Sequence, residues 1–229
     1  MGTDNLFHKR KARKAEMHRR KIATLSPLPR VLVVCEGGKT EPHYFRWLIN
    51  YFGLNRANVV IGNKKSGLDP KSLVDYALEE YEKERDFDHI YCVFDRDKHT
   101  TYDAAVDRVR SIRLKRGAKI HATTSIPCFE FWLLLHFTYT TRHYEAPLND
   151  SNCDLVVADL RKHILDYEKG SQGFLDYLVG KTEEAITRAK QIEIFHETSG
   201  TENPSTKIYL LVEYLKSIKD RLLPAKEDQ

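Results

Sequence analysis

Residues 30–41 read Arg30-Val-Leu-Val-Val-Cys-Glu-Gly-Gly-Lys-Thr-Glu41. The apolar run Val31–Cys35 is continuous, rich in β-branched residues, and ended by Glu36-Gly37-Gly38. A stretch apolar at every position marks a strand buried on both faces, as in a parallel sheet. The pattern returns in His89-Ile-Tyr-Cys-Val-Phe94, which Asp95-Arg96-Asp97 cuts off. Two buried strands, each followed at once by acids, predict an α/β fold. They also place those acids where open parallel sheets gather ligands, beyond the carboxyl ends of the strands.

Working outward, Tyr44, Phe45, Leu48, Tyr51 and Phe52 recur at helical spacing, with Thr40 read as the cap and Gly53 as the stop. Asn58–Ile61 reads as a short strand. Asp69-Pro70 supplies a cap and a first-turn proline for a helix whose apolar face is Leu73, Val74, Ala77, Leu78 and Tyr81. Ala104, Ala105, Val109 and Ile112 mark another helix, with Gly117 as its stop, and Lys119–Thr124 a further strand. Ser125–Phe137 reads as a turn and a largely buried helix. Alternating strands and helices imply a parallel-rich sheet flanked by helices through right-handed crossovers. Beyond about residue 140, Leu155–Tyr167, Phe174–Val179, Thr182–Phe195 and Thr206–Leu223 all read as helices, and no strand is expected. The expected organisation is a basic, disordered tail over 1–29, an α/β core over 30–140, and a helical C-terminal portion over 141–229 packed on that core.

Composition sets the outer bounds. A chain of 229 residues, 41% hydrophobic and 31% charged, can bury a real core. The longest apolar run, Phe129–Phe137, is interrupted by Glu130 and His136 and falls short of the roughly 20 residues of a membrane span. No signal-peptide core is visible. Cys35, Cys92, Cys128 and Cys153 are widely spaced without a C-x-x-C pair, which argues against a zinc knuckle and a disulfide framework and suits a reducing cytoplasm. The net charge of +4 is concentrated at the start, in Lys9, Arg10, Lys11, Arg13, Lys14, Arg19, Arg20 and Lys21 against only Asp4 and Glu16. Such a tail attracts polyanions by counterion release, so these eight residues are the candidate nucleic-acid contacts. A solvated extension explains the same charge run equally well.

Adjacent strands would bring Glu36, Asp95 and Asp97 into one crevice, with the two aspartates pointing the same way if strand geometry continues. Carboxylates so crowded resist joint ionisation unless a cation sits among them, and hard oxygen ligands suit Mg²⁺ or Mn²⁺. Taken singly, each acid is explained by capping the next helix; all three together after buried strands favour a site. Gly38-Lys39-Thr40 imitates the end of a P-loop, but Val33 stands where that motif needs a glycine. Lys39 remains a candidate phosphate contact or a solvated turn lysine. Glu130, between Phe129 and Phe131, requires a partner or a metal. His121 and His136 read as core or surface histidines, Trp132 as core, and Asn203-Pro-Ser-Thr206 as a cap of the last helix.

A strand ending in Glu-Gly, followed about 60 residues later by one ending in Asp-x-Asp, resembles the Toprim arrangement. The likeness narrows to the RloB-like family. The residues that carry it are Val33-Val-Cys-Glu-Gly-Gly-Lys-Thr-Glu-Pro-His-Tyr-Phe45, Phe94-Asp-Arg-Asp97, Pro127-Cys-Phe-Glu-Phe-Trp-Leu-Leu-Leu-His-Phe137, Tyr167-Glu-Lys169 and Asn203-Pro-Ser-Thr206, over residues 31 to 215. The resemblance implies a bacterial anti-phage, abortive-infection role, a metal-dependent Toprim-like nuclease, and an ATPase partner from a neighbouring gene. It implies Glu36, Asp95 and Asp97 as metal ligands, with Glu36 alternatively the general acid or base. A second metal would draw on Glu41 or Glu130. The substrate (RNA such as tRNA, or DNA), the trigger and the oligomeric state stay open. A regulatory subunit with weak metal binding, and a primase-like nucleotidyl transferase, are the alternatives.

Overall fold

The computed structural model describes residues 28–62, 67–96, 100–147 and 151–222. Its strands are β1 (Val31–Cys35), β2 (Val59–Ile61), β3 (His89–Asp95), β4 (Lys119–Ile126) and β5 (Ser205–Thr206). The helices are α1 (Thr40–Tyr51), α2 (Pro70–Lys83), α3 (Tyr102–Ser111), α4 (Glu130–Leu134), α5 (Asn152–Leu160), α6 (Thr182–Ser199) and α7 (Ile208–Leu222). The sheet order is β2-β1-β3-β4-β5, parallel except for antiparallel β5.

Alternation along the buried strands decides which helices cover which face. Val31, Val33, Tyr91 and Val93 face a core built with α1, α4, α5, α6 and α7. Leu32, Val34, Ile90, Cys92 and Phe94 point the other way, against α2 and α3. The chain runs from β1 outward to β2, then returns past β1 to β3. The β1/β3 junction is therefore the point where strand order reverses, and the crevice beyond it is the favoured ligand position of an open α/β sheet.

Several local readings need correction. Thr40 is the first residue of α1, not its cap; its Oγ1 accepts from the Gly170 N–H at 2.9 Å. Asp69 does cap α2, its Oδ1 accepting from Lys71 N–H at 3.1 Å and Ser72 N–H at 3.4 Å. α3 ends at Ser111 rather than at Gly117, which lies in a 3₁₀ turn over Lys115–Gly117. The buried helix after β4 is only Glu130–Leu134, α5 ends at Leu160, and Leu175–Leu178 is a 3₁₀ turn. The stretch read as strandless contributes β5, which pairs Thr206 with Ser125 and Ser205 with Ile126. Two residues carry too little periodicity to announce a strand. Asn203 does not cap α7; its amide brackets the Tyr144 backbone, donating to the carbonyl at 2.8 Å and accepting from the N–H at 3.4 Å. The capping reading of Asn203-Pro-Ser-Thr206 holds through its last residue, since Thr206 Oγ1 accepts from Ile208 N–H at 3.2 Å at the start of α7.

Candidate active site

Glu36 follows β1, Asp95 ends β3, and Glu130 opens α4 just after β4, so three neighbouring strands deliver carboxylates to one edge. Glu41, in the first turn of α1, is the fourth. The backbone stitches them together. Asp95 N–H donates to Glu36 Oε2 at 3.0 Å, Phe129 N–H to Asp95 Oδ2 at 3.1 Å, and Gly37 N–H to Glu41 Oε1 at 3.2 Å. A Cβ on Gly37 would overlap the Glu41 carboxylate. The glycine is thus needed for the close approach of Glu41.

The proton affinities reflect this crowding. Burial, then repulsion from Glu130 and Glu36, pushes the Glu41 carboxyl from its ordinary 4.5 up to about 7, against its backbone hydrogen bonds. Burial, then Glu41, Glu130 and Glu36, raises Asp95 well above the carboxylate range. Such a set relaxes when a cation joins it or a proton stays on it. All its donors are oxygens, as Mg²⁺ and Mn²⁺ prefer. Among the described residues no three of these carboxylates offer oxygens within 4.8 Å of one another, so Glu36, Glu41, Asp95 and Glu130 would have to draw together to hold one.

Glu130 is 4% exposed and is not left unpartnered. Tyr167 O–H donates to its Oε1 at 3.1 Å, and the Lys169 ammonium lies 3.9 Å from the same oxygen. Burial and then the negative charge of Glu130 push the Tyr167 hydroxyl's pKa upward, so it stays a donor. Lys39 is exposed beside Gly37 and Gly38, and its stem packs on Gly170, where an added Cβ would come within 2.8 Å of Lys39 Cδ. The Thr40–Gly170 hydrogen bond and this packing dock the 167–170 segment against the rim of the site. Sequence alone does not single out Tyr167, Lys169 and Gly170 as site residues. A signal is present in Tyr167-Glu-Lys169, but nothing local ties that motif to Glu130.

The remaining candidates divide. Asp97 lies outside the described residues, as do Lys9, Arg10, Lys11, Arg13, Lys14, Arg19, Arg20 and Lys21. His136 is fully buried, shares its Nδ1 with the Trp132 carbonyl at 3.0 Å, and is pushed down to about 4 by burial. Trp132 packs edge-on against Tyr44 and His136 in the core. His121 stacks on His89 and Tyr91 on the β4 flank. A groove of about 1230 Å³ opens there, lined by His89, Tyr91, His121 and Tyr214 among others. None of the four clustered acids lines it.

One expectation about cysteine is overturned: Cys128 and Cys153 form a disulfide. Separated by 25 residues, they meet because the β4–α4 turn packs against the first turn of α5, a contact invisible in spacing. One ligand atom each from Cys128, Glu130 and Cys153 lies within 4.8 Å of the others. The sulfurs are bonded to one another, and the Lys169 ammonium sits 3.1 Å from Cys153 Sγ, so this trio does not form a thiolate metal site. Cys35 and Cys92 are free.

The fold and site define an α/β protein with a carboxylate cluster at the switch point of a mostly parallel sheet, consistent with a Toprim-like arrangement. A family model described as RloB-like protein matches residues 31–215, and the chain belongs to that family. No curated protein and no solved structure matches it. Among the described residues, no helix is long and apolar enough to cross a membrane.

Proposed function

We propose that this protein is a metal-dependent phosphodiesterase, a Toprim-like nuclease that cleaves RNA (tRNA among the candidates) or DNA as an effector of anti-phage defence. The observation that carries the reading is the convergence of Glu36, Glu41, Asp95 and Glu130 with their protons held abnormally tightly at Glu41 and Asp95. The chain belongs to the RloB-like family; the defence role and the ATPase partner are part of this proposal, taken from what the resemblance to that family implies. A bound Mg²⁺ or Mn²⁺ would neutralise the scissile phosphate and acidify a coordinated water.

The chain's own groups supply the rest. Glu41, near neutrality in its proton affinity, is suited to exchange a proton at pH 7, with Glu36 as the alternative acid or base. Lys39 at the open rim would meet a phosphate oxygen. Tyr167 holds Glu130 in place from behind.

The test is purification with and without the neighbouring-gene product, then incubation with tRNA, mRNA and DNA in Mg²⁺, Mn²⁺ or EDTA. Cleavage that needs metal and is lost in Asp95→Asn and Asp97→Asn supports the proposal. Binding without turnover under every condition would replace it with the regulatory-subunit reading.

A further inference from the structure

We infer that the Cys128–Cys153 pair is a redox modification site that regulates the acidic cluster through Glu130. This rests on the reading of that cluster as a cation site. Cys128 immediately precedes Phe129, whose N–H holds Asp95, and Glu130 itself. Cys153 lies in the first turn of α5, where its N–H is fixed by Ser151 Oγ at 3.2 Å. The bridge thus ties the three-residue segment bearing two site groups to a separate helix, with Cα atoms 5.7 Å apart.

The direction of the effect follows from the two polar neighbours of Cys153 Sγ, Glu130 Oε2 and the Lys169 ammonium. Cys153 Sγ lies 3.2 Å from Glu130 Oε2, while Oε1 already receives the Tyr167 hydroxyl. A disulfide sulfur carries no hydrogen, so in the bridged state it donates nothing and Oε2 keeps its lone pairs for a cation. A Cys153 thiol has a hydrogen; the Lys169 ammonium already donates to the sulfur from 3.1 Å, so Glu130 Oε2 is the acceptor within that hydrogen's reach. Reduction therefore occupies the oxygen that the bridged state leaves available, and it also releases the tether on Phe129 and Glu130. The bridged protein binds the divalent ion more tightly.

The exchange balances with a low-molecular-weight disulfide such as oxidised glutathione as oxidant. One cysteine thiolate attacks it, forming a mixed disulfide and expelling one small thiolate. The second cysteine thiolate attacks the mixed disulfide, closes the Cys128–Cys153 bond and expels the second small thiolate. Two electrons pass to the oxidant, and the two protein protons end on its two thiols. Both cysteines are 3% exposed, which favours a small reagent and slow equilibration.

The experiment uses the full chain, equilibrated in glutathione buffers of graded oxidised-to-reduced ratio. Alkylation and peptide mass mapping give the bridged fraction. After anaerobic desalting, Mn²⁺ affinity is measured by titration calorimetry. The expected result is a single two-electron transition confined to Cys128 and Cys153, with Cys35 and Cys92 remaining thiols. Mn²⁺ Kd should be roughly threefold to tenfold lower in the bridged form, the scale of one ordinary net hydrogen bond, since S–H is a weak donor. Two variants separate the sulfur from the tether. Cys128→Ala keeps the Cys153 thiol and should bind like reduced protein in every buffer. Cys153→Ala removes the donor and should bind more tightly than Cys128→Ala. Equal Kd in both redox states, or no bridge at any ratio, overturns the inference while leaving the cation site standing. Absence of Mn²⁺ binding in every state overturns the site reading and the switch with it, and the mapped bridge tells the two failures apart.

Discussion

Replacing Glu41 with Gln should stabilise the metal-free protein at pH 8 and do nearly nothing at pH 4. Glu41 is 8% exposed, and its carboxyl is raised from an ordinary 4.5 to about 7 by burial first and by Glu130 and Glu36 next. Between those values the native state holds a proton that the unfolded chain has released. Stability therefore falls as pH rises through the window: the contribution of Glu41's retained proton is intact below about 4.5 and fully lost above about 7. At about 1.36 kcal/mol per pH unit, the native state forfeits about 3 kcal/mol once Glu41 is ionised. Glutamine keeps the shape and an oxygen for the Gly37 N–H but never ionises. Its gain at pH 8 should approach that figure, or about 6–12 °C in Tm for a chain of this size. The assay is urea and thermal unfolding by circular dichroism in EDTA at pH 4, 6 and 8. Saturating Mg²⁺ should stabilise wild type more than the variant, narrowing the gap. A wild-type stability that does not fall between pH 5 and 8, with no gain in Glu41→Gln, would refute the crowded-carboxylate reading.

Three further outcomes follow from the same geometry. Tyr167→Phe removes the hydroxyl from Glu130 Oε1 without changing shape and should cost about 1.5–3 kcal/mol in urea unfolding at pH 7, the range for a hydrogen bond to a charged group; a loss below about 0.5 kcal/mol would show that Lys169 or solvent replaces it. Gly37→Ala should fold, because its Cβ meets only the movable end of Glu41, yet expel that carboxylate and flatten the pH dependence of stability between 4.5 and 7. Deleting residues 1–22 should make the salt dependence of nucleic-acid binding shallower by about 0.7–0.9 log units for each phosphate the tail neutralises, and parallel slopes for the two proteins would show that it neutralises none.

Val31–Cys35 and His89–Phe94 could be read directly because burial on both faces demands apolar residues at every position, a signal local to each strand. Once they are strands, Glu36 and Asp95 must stand at their carboxyl ends, and the parallel β1–β3 ladder brings them together. Asp69-Pro70 is likewise legible, since a cap and its first-turn proline are neighbours in sequence. Glu41 and Glu130 can be nominated from sequence, but their shared site depends on α1 and α4 both opening at the same sheet edge. β5, the Thr40–Gly170 hydrogen bond, the Tyr167 support of Glu130 and the Cys128–Cys153 bridge are of another kind. Each joins residues between 25 and 130 positions apart through a side chain or a very short strand. Such pairs leave no periodicity, because the energy that selects them arises only when packing has brought the partners within reach.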